Sequence, residues 1–159
     1  MLDSTPASVN SALQRARAGF RPLRDGDHIP LPNSKRESEV VERFVDAFLK
    51  GDPEGVIATL SDDAKLKMPP EPFEFRGSER IVEFLVRIGC WGERLKLVPT
   101  RANNQPAFGY YLPDPHAAIH RASGVLVLTL RDDRISTVTR FGDKSLLVCL
   151  GLPRTVPSN

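Results

Sequence analysis

The sequence predicts an α+β domain in which helices come first and a sheet follows. Before residue 90 the apolar residues recur at helical spacing, most clearly Val40, Val41, Phe44, Val45, Phe48 and Leu49. After residue 93 the period changes to apolar runs separated by turn-prone Asn, Asp and Pro residues. With 159 residues, 40% of them hydrophobic, the chain can bury one domain core and carry an extension.

Taken in order, Ala7–Arg21 reads as a helix with Val9, Leu13 and Ala16 on one face and Ser4 or Thr5 as its cap. The rest of its surface is Ser8, Asn10, Ser11, Gln14, Arg15 and Arg17, short polar groups followed by cations, which suits base edges and phosphates. The same pattern also fits an amphipathic helix that docks on its own domain or frays. Residues 22–36, with three prolines and a glycine, have linker composition. The expected division is therefore 1–21, a linker over 22–37, and a domain over 38–159.

Within the domain, the 40–49 stripe ends at Gly51, and Asp52 caps a short helix with Pro53 in its first turn. KLKMPP and FEFR read as short strands, and Gly77–Ser78 opens a helix that buries Ile81, Phe84, Leu85 and Ile88. Strands are expected over 94–103, 106–112, 121–131 and 134–142. The run Val125–Leu130 predicts a central strand covered on both faces. A last helix runs from an Asp143 cap to Gly151.

Charge separates the two parts. Residues 1–36 carry a net +3 and residues 37–159 a net −1, so the basic excess lies in the N-terminal segment, as in an arm that faces nucleic acid. Cys90 and Cys149 have no metal spacing and read as reduced thiols of a cytoplasmic protein. No apolar run reaches membrane-spanning length. Three histidines without helical i, i+4 spacing do not make a metal set. There is no Gly-rich phosphate loop, nucleophile elbow or Cys–His pairing, and no cofactor is expected.

Several phrases carry a resemblance. SVNSALQRAR resembles the second helix of the helix-turn-helix in region four of extracytoplasmic-function sigma factors. MPPEPFEFRG (Met68–Gly77) resembles the MPPEPxxYRG of SnoaL-like domains fused to one branch of those factors. Leu97–Leu112, Val127–Phe141 and the terminal GLPRTVP follow the same branch. The resemblance implies an NTF2-like cone for residues 38–159: a curved antiparallel sheet packed on three helices, with a pocket between them. It also implies that residues 1–21 are the end of region four and that the chain is the C-terminal regulatory part of a sigma factor. RNA polymerase core and promoter DNA would be partners of the full-length protein, contacted through Ser8, Asn10, Ser11, Gln14, Arg15 and Arg17. The stretch before helix three would contribute to the pocket mouth and to contact with the sigma core, or serve only as a stiff connection.

Relatives with this fold include isomerases, cyclases and epoxide hydrolases, which need polar groups inside an apolar cavity. Strand alternation puts Leu95, Leu97, Arg101 and Asn103 on one face, and Phe108, Tyr110 and Leu112 on one face of the next strand. The expected pocket residues are Trp91, Leu97, Arg101, Asn103, Phe108, Tyr110 and Phe141. As a catalytic set, Asp143 or His120 would act as base and Tyr110 or Tyr111 as hydrogen-bond donor. Against this, Asp143 also reads as a helix cap, His120 lies beside a Pro-rich turn that favours solvent, and Arg101 could pair with Glu71 or Glu74. The fold permits an enzyme, but no constellation supports one. An unidentified small ligand in the pocket and a second copy on the sheet face complete the candidate partners.

Overall fold

The computed structural model describes residues 29–89 and 91–158. The elements run α1 (Lys35–Lys50), α2 (Pro53–Thr59), β1 (Leu60–Lys67), β2 (Glu74–Arg76), α3 (Ser78–Ile88), β3 (Lys96–Ala102), β4 (Gln105–Pro113), β5 (Ile119–Arg131), β6 (Arg134–Phe141), α4 (Ser145–Cys149) and β7 (Thr155–Pro157). The helix expected over 7–21, with Ser8, Asn10, Ser11, Gln14, Arg15 and Arg17, lies outside the described residues. Among the described residues no helix is long and apolar enough to cross a membrane.

Helix α1 begins at Lys35, inside the segment expected to be linker. The reason is a capping arrangement. Ser34 Oγ accepts the Glu37 N–H at 3.2 Å, and Glu37 Oε1 accepts the Asn33 N–H at 2.9 Å. Ser34 and Glu37 hold the S-x-x-E spacing of a capping box. At the other end Gly51 takes a left-handed φ of 66°, and the Gly51 and Asp52 N–H groups close on Phe48 and Ala47 carbonyls. Asp52 then caps α2 through the Gly55 N–H at 3.0 Å, with Pro53 at the first position.

The sheet is curved and unclosed, with strand order β2-β1-β6-β5-β4-β3 and β7 added beside β5. It is mixed rather than antiparallel throughout, because β1 pairs in parallel with β6. As the apolar run predicts, β5 is interior to the sheet, and Val125–Leu130 is covered on both faces apart from half-buried Thr129.

Alternation divides the core between the two faces. The inner face carries Phe108, Tyr110, Leu126, Leu128, Leu130 and Val138 against Val40, Phe44, Phe48, Val56, Ile81 and Leu85 of the first three helices. The outer face carries Ala107, Tyr111, Ala122, Val125 and Val127, packed with Leu147 of α4, Leu152 and Val156. Tyr111 donates its hydroxyl to the Pro153 carbonyl at 2.8 Å, which ties down the C-terminal segment. The outer sheet face anticipated for a second copy is thus partly occupied by this chain's own α4 and β7.

Candidate functional site

The site is built on a bulge. Tyr110 pairs with Gly124 and Tyr111 with Ala122, so Ser123 is an extra residue in β5. Gly124 sits at φ 150°, where a Cβ would come within 2.1 Å of the Phe141 carbonyl oxygen and 2.7 Å of the Tyr110 ring. A side chain there would displace both the strand and the ring, so glycine is what lets Tyr110 lie flat on the inner face.

Arg140, opposite Leu126 on β6, points to the same face. Its guanidinium carbon stands 5.1 Å from the Tyr110 ring centroid, a cation–π distance. Its Nε is shielded from solvent and has no hydrogen-bond partner among the described residues. None of the described carboxylates forms an ion pair with it. A buried donor left without an acceptor is costly, on the order of 1–3 kcal/mol, so such a group calls for an explanation.

Two spaces meet at this arginine. Inside the cone lies an apolar cavity of about 20 Å³, bounded by Phe44, Phe48, Ile81, Leu85, Tyr110 and Leu126 among others. That is room for a water molecule and far below the roughly 300–1,000 Å³ of a typical small-molecule pocket. Outside it lies an open groove of about 520 Å³ between the Met68–Phe75 stretch, α3 and the end of β6. Phe84 and Arg140 line both, and so form the wall between them. Phe84 is held by stacking on Phe75, with ring centroids 4.3 Å apart.

Comparison with known proteins places this architecture. Residues 41–138 match the family described as the SnoaL-like domain. The chain belongs to the SnoaL-like family. It is 29% identical over 157 residues to the ECF RNA polymerase sigma factor SigG of Mycobacterium tuberculosis, a match that covers 96% of this chain. The chain spans 42% of the length of that relative. Solved structures that it resembles include a de novo designed protein with a curved β-sheet (TM-score 0.55, 18% identity, 74% of this chain and 94% of that one). They also include an LEH-like epoxide hydrolase of M. tuberculosis (TM-score 0.53, 22% identity, 70% and 86%). An NTF2-like protein from Burkholderia xenovorans LB400 aligns similarly (TM-score 0.52, 15% identity, 67% and 81%). At these identities the likeness concerns the fold.

Of the residues expected in the SnoaL-like pocket, Tyr110 lines the inner cavity. Trp91 and Leu97 pack on the same core without lining that cavity, Trp91 edge-on to Phe48 with centroids 6.3 Å apart. Phe108 lines a separate groove between α1 and β3. Asn103 is exposed in the β3–β4 turn at φ 50°, so it is not a pocket residue. Phe141 faces outward, opposite Val125, because Arg140 takes the inward position.

Arg101 points inward as expected, but its partner is Glu37 rather than Glu71 or Glu74. Nη1 donates to Oε1 at 2.8 Å and Nη2 to Oε2 at 3.2 Å, with further bonds to Asn33 Oδ1 and the Asn104 carbonyl. Burial pushes the Glu37 carboxyl up, but the Arg101 hydrogen bonds, the Asn33 N–H and the Arg101 charge outweigh it and hold the group below its usual range.

The catalytic trio is not assembled. His120 is buried rather than solvated; two residues before Ala122, it shares the outer face, and its Nδ1 meets Ser158 Oγ at 3.2 Å. Tyr110 is on the inner face, across the sheet. Asp143 is exposed in the outer groove and accepts the Ser145 N–H at 2.9 Å, which with the Ser145 hydroxyl holds its carboxyl below the usual range. Among the described residues no group of three His, Cys, Asp or Glu side chains could hold a metal ion. Sequence reasoning missed Arg140. Strict alternation two residues on from the inward Val138 of the same strand would have found it.

Proposed function

We propose that this chain acts as the SnoaL-like regulatory part of an extracytoplasmic-function sigma factor, adjusting how the factor engages its promoter. One observation carries the reading. The likeness to SigG spans 96% of the chain, well beyond the 41–138 stretch that matches the SnoaL-like domain. A similarity confined to the fold would not extend into the N-terminal segment. On this reading the cytoplasmic transcription machinery is the setting, with RNA polymerase core and promoter DNA as partners of the full-length protein. Ser8, Asn10, Ser11, Gln14, Arg15 and Arg17 serve the DNA contact within a complete helix-turn-helix.

The absence of an assembled His120–Asp143–Tyr110 trio leaves the enzyme alternative without a supporting observation. Reading the genomic DNA in frame upstream of the Met1 codon tests the proposal first. Sigma regions two and four are expected there. Run-off transcription with core polymerase then compares that longer protein with a version cut after residue 37. A change in initiation at its promoter supports a regulatory role. An upstream stop codon, or equal initiation by both proteins, would overturn it.

A further inference from the structure

We infer that the groove between Met68–Phe75, α3 and the end of β6 is a binding site for small aromatic carboxylic acids, with Arg140 receiving the carboxylate. The site stands on geometry alone and does not depend on the sigma-factor reading, which its failure would leave untouched.

Size puts the ligand in the groove. Of the two spaces that meet at Arg140, the inner cavity holds about 20 Å³ and the groove about 520 Å³, so of these two the groove is the one that accepts a molecule of more than a few atoms. Its walls decide the body of the ligand. Phe73, Phe75, Phe84 and the Pro69–Pro70 pair present flat apolar faces, and Phe73 is 58% exposed. Flat rings stack on such walls with little loss of side-chain freedom, since Phe75 and Phe84 are already locked against each other.

Charge decides the head group. Arg140 lines the groove, is propped on the Tyr110 ring, and forms no ion pair with any described carboxylate. A guanidinium is a planar fork of donors that matches a carboxylate two bonds at a time. Arg87, exposed at the end of α3, is a second cation on the same groove. Two carboxylates also line it, Glu71 and Asp143, and they restrict rather than cancel the site. Asp143 is engaged by Ser145 and Glu71 is exposed, so neither neutralises Arg140. Their presence favours a monoanion over a polyanion.

The test is a chemical-shift titration of the whole 159-residue chain with 2-naphthoate, repeated with the uncharged 2-naphthalenemethanol. Saturable shifts are expected at Met68, Phe75, Phe84 and Arg140. The acid should bind about tenfold or more tighter than the alcohol, because only the acid uses the guanidinium. R140M should remove that preference, and F73A, at an exposed position that the fold does not need, should weaken both probes several-fold. Circular dichroism establishes that the variants are folded; if R140M is not, the acid-over-alcohol ratio in F73A and wild type still decides. Equal affinity for acid and alcohol, full acid affinity in folded R140M, shifts centred on the groove beside α1, or no saturable binding would each overturn the assignment.

Discussion

Arg101 and Arg140 both stand on the inner face of the sheet, and the molecule treats them in opposite ways. Arg101 is fully engaged: a two-pronged pair with Glu37, a bond to the Asn33 side chain and another to the Asn104 carbonyl. It ties the segment before α1 to the β3–β4 hairpin. Arg140 rests on a tyrosine ring and leaves its Nε without an acceptor among the described residues. The contrast separates an arginine whose charge is paired within the fold from one that lines a groove with no ion pair among the described residues. Within one small domain, inward direction and burial do not distinguish the two. Completeness of the hydrogen bonds does.

The largest expected effect breaks the support under Arg140. Gly124→Ala forces a Cβ into the Phe141 carbonyl and the Tyr110 ring, and should cost more than about 3 kcal/mol in urea denaturation or abolish folding. Gly142→Ala is the control: nothing lies within 4 Å of the added carbon, so its effect should stay within about 0.5 kcal/mol. A Gly124→Ala protein as stable as wild type would mean that Tyr110 does not pack over the glycine as described.

Next is the closed arginine. Glu37→Ala strips Arg101 of its bidentate partner and exposes the helix cap, so a loss of about 2 kcal/mol is expected in the same assay. Arg101 keeps about a third of its side chain in solvent, which holds the loss below that of a fully buried pair. The pH dependence sharpens the point. Glu37 is held below its ordinary value of 4.5 in the folded state, so its contribution is fully present above that value. It disappears as pH falls through the lowered folded value. The stability gap between wild type and Glu37→Gln should therefore be constant near neutrality and narrow on acidification below about pH 4.5. A gap that does not change with pH would mean the carboxylate's charge is irrelevant to the clamp.

The same two arginines show how much a sequence discloses. Alternation along β3 turned Arg101 inward correctly, because a strand's period is local. Its partner was not local: Glu37 lies 64 positions away and is brought in by helix packing, while nearby Glu74 is taken by Arg76. The cap that starts α1 was legible in Ser34 and Glu37, yet a proline-rich context masked it. On β6 a single step of register exchanges Arg140 for Phe141, and β6 itself carries an extra residue, Ser136, because Thr129 pairs with Thr137 and Leu130 with Ile135. His120 looked solvated because the strand that buries it, β7, is three residues long and has no periodic signal. The parallel pairing of β1 with β6 likewise joins segments with no local mark of their contact. The helical stripes and the Val125–Leu130 strand were plain because each encodes its own burial.

The smallest expected effect is the most informative about the site. Arg140→Met removes the cation but keeps an apolar, flexible side chain against Tyr110 and Leu126. It gives up a cation–π contact worth about 0.5–2 kcal/mol and removes an unsatisfied buried donor of similar cost. The two nearly cancel, so stability should stay within about 1 kcal/mol of wild type. Were Arg140→Met to cost as much as Glu37→Ala, the two arginines would be alike, both ties of the fold, and the groove would lose its claim to a ligand. A small change in stability combined with loss of the acid preference would place the guanidinium in binding rather than in folding. The measurement therefore decides between a charge that the structure uses and one that it presents.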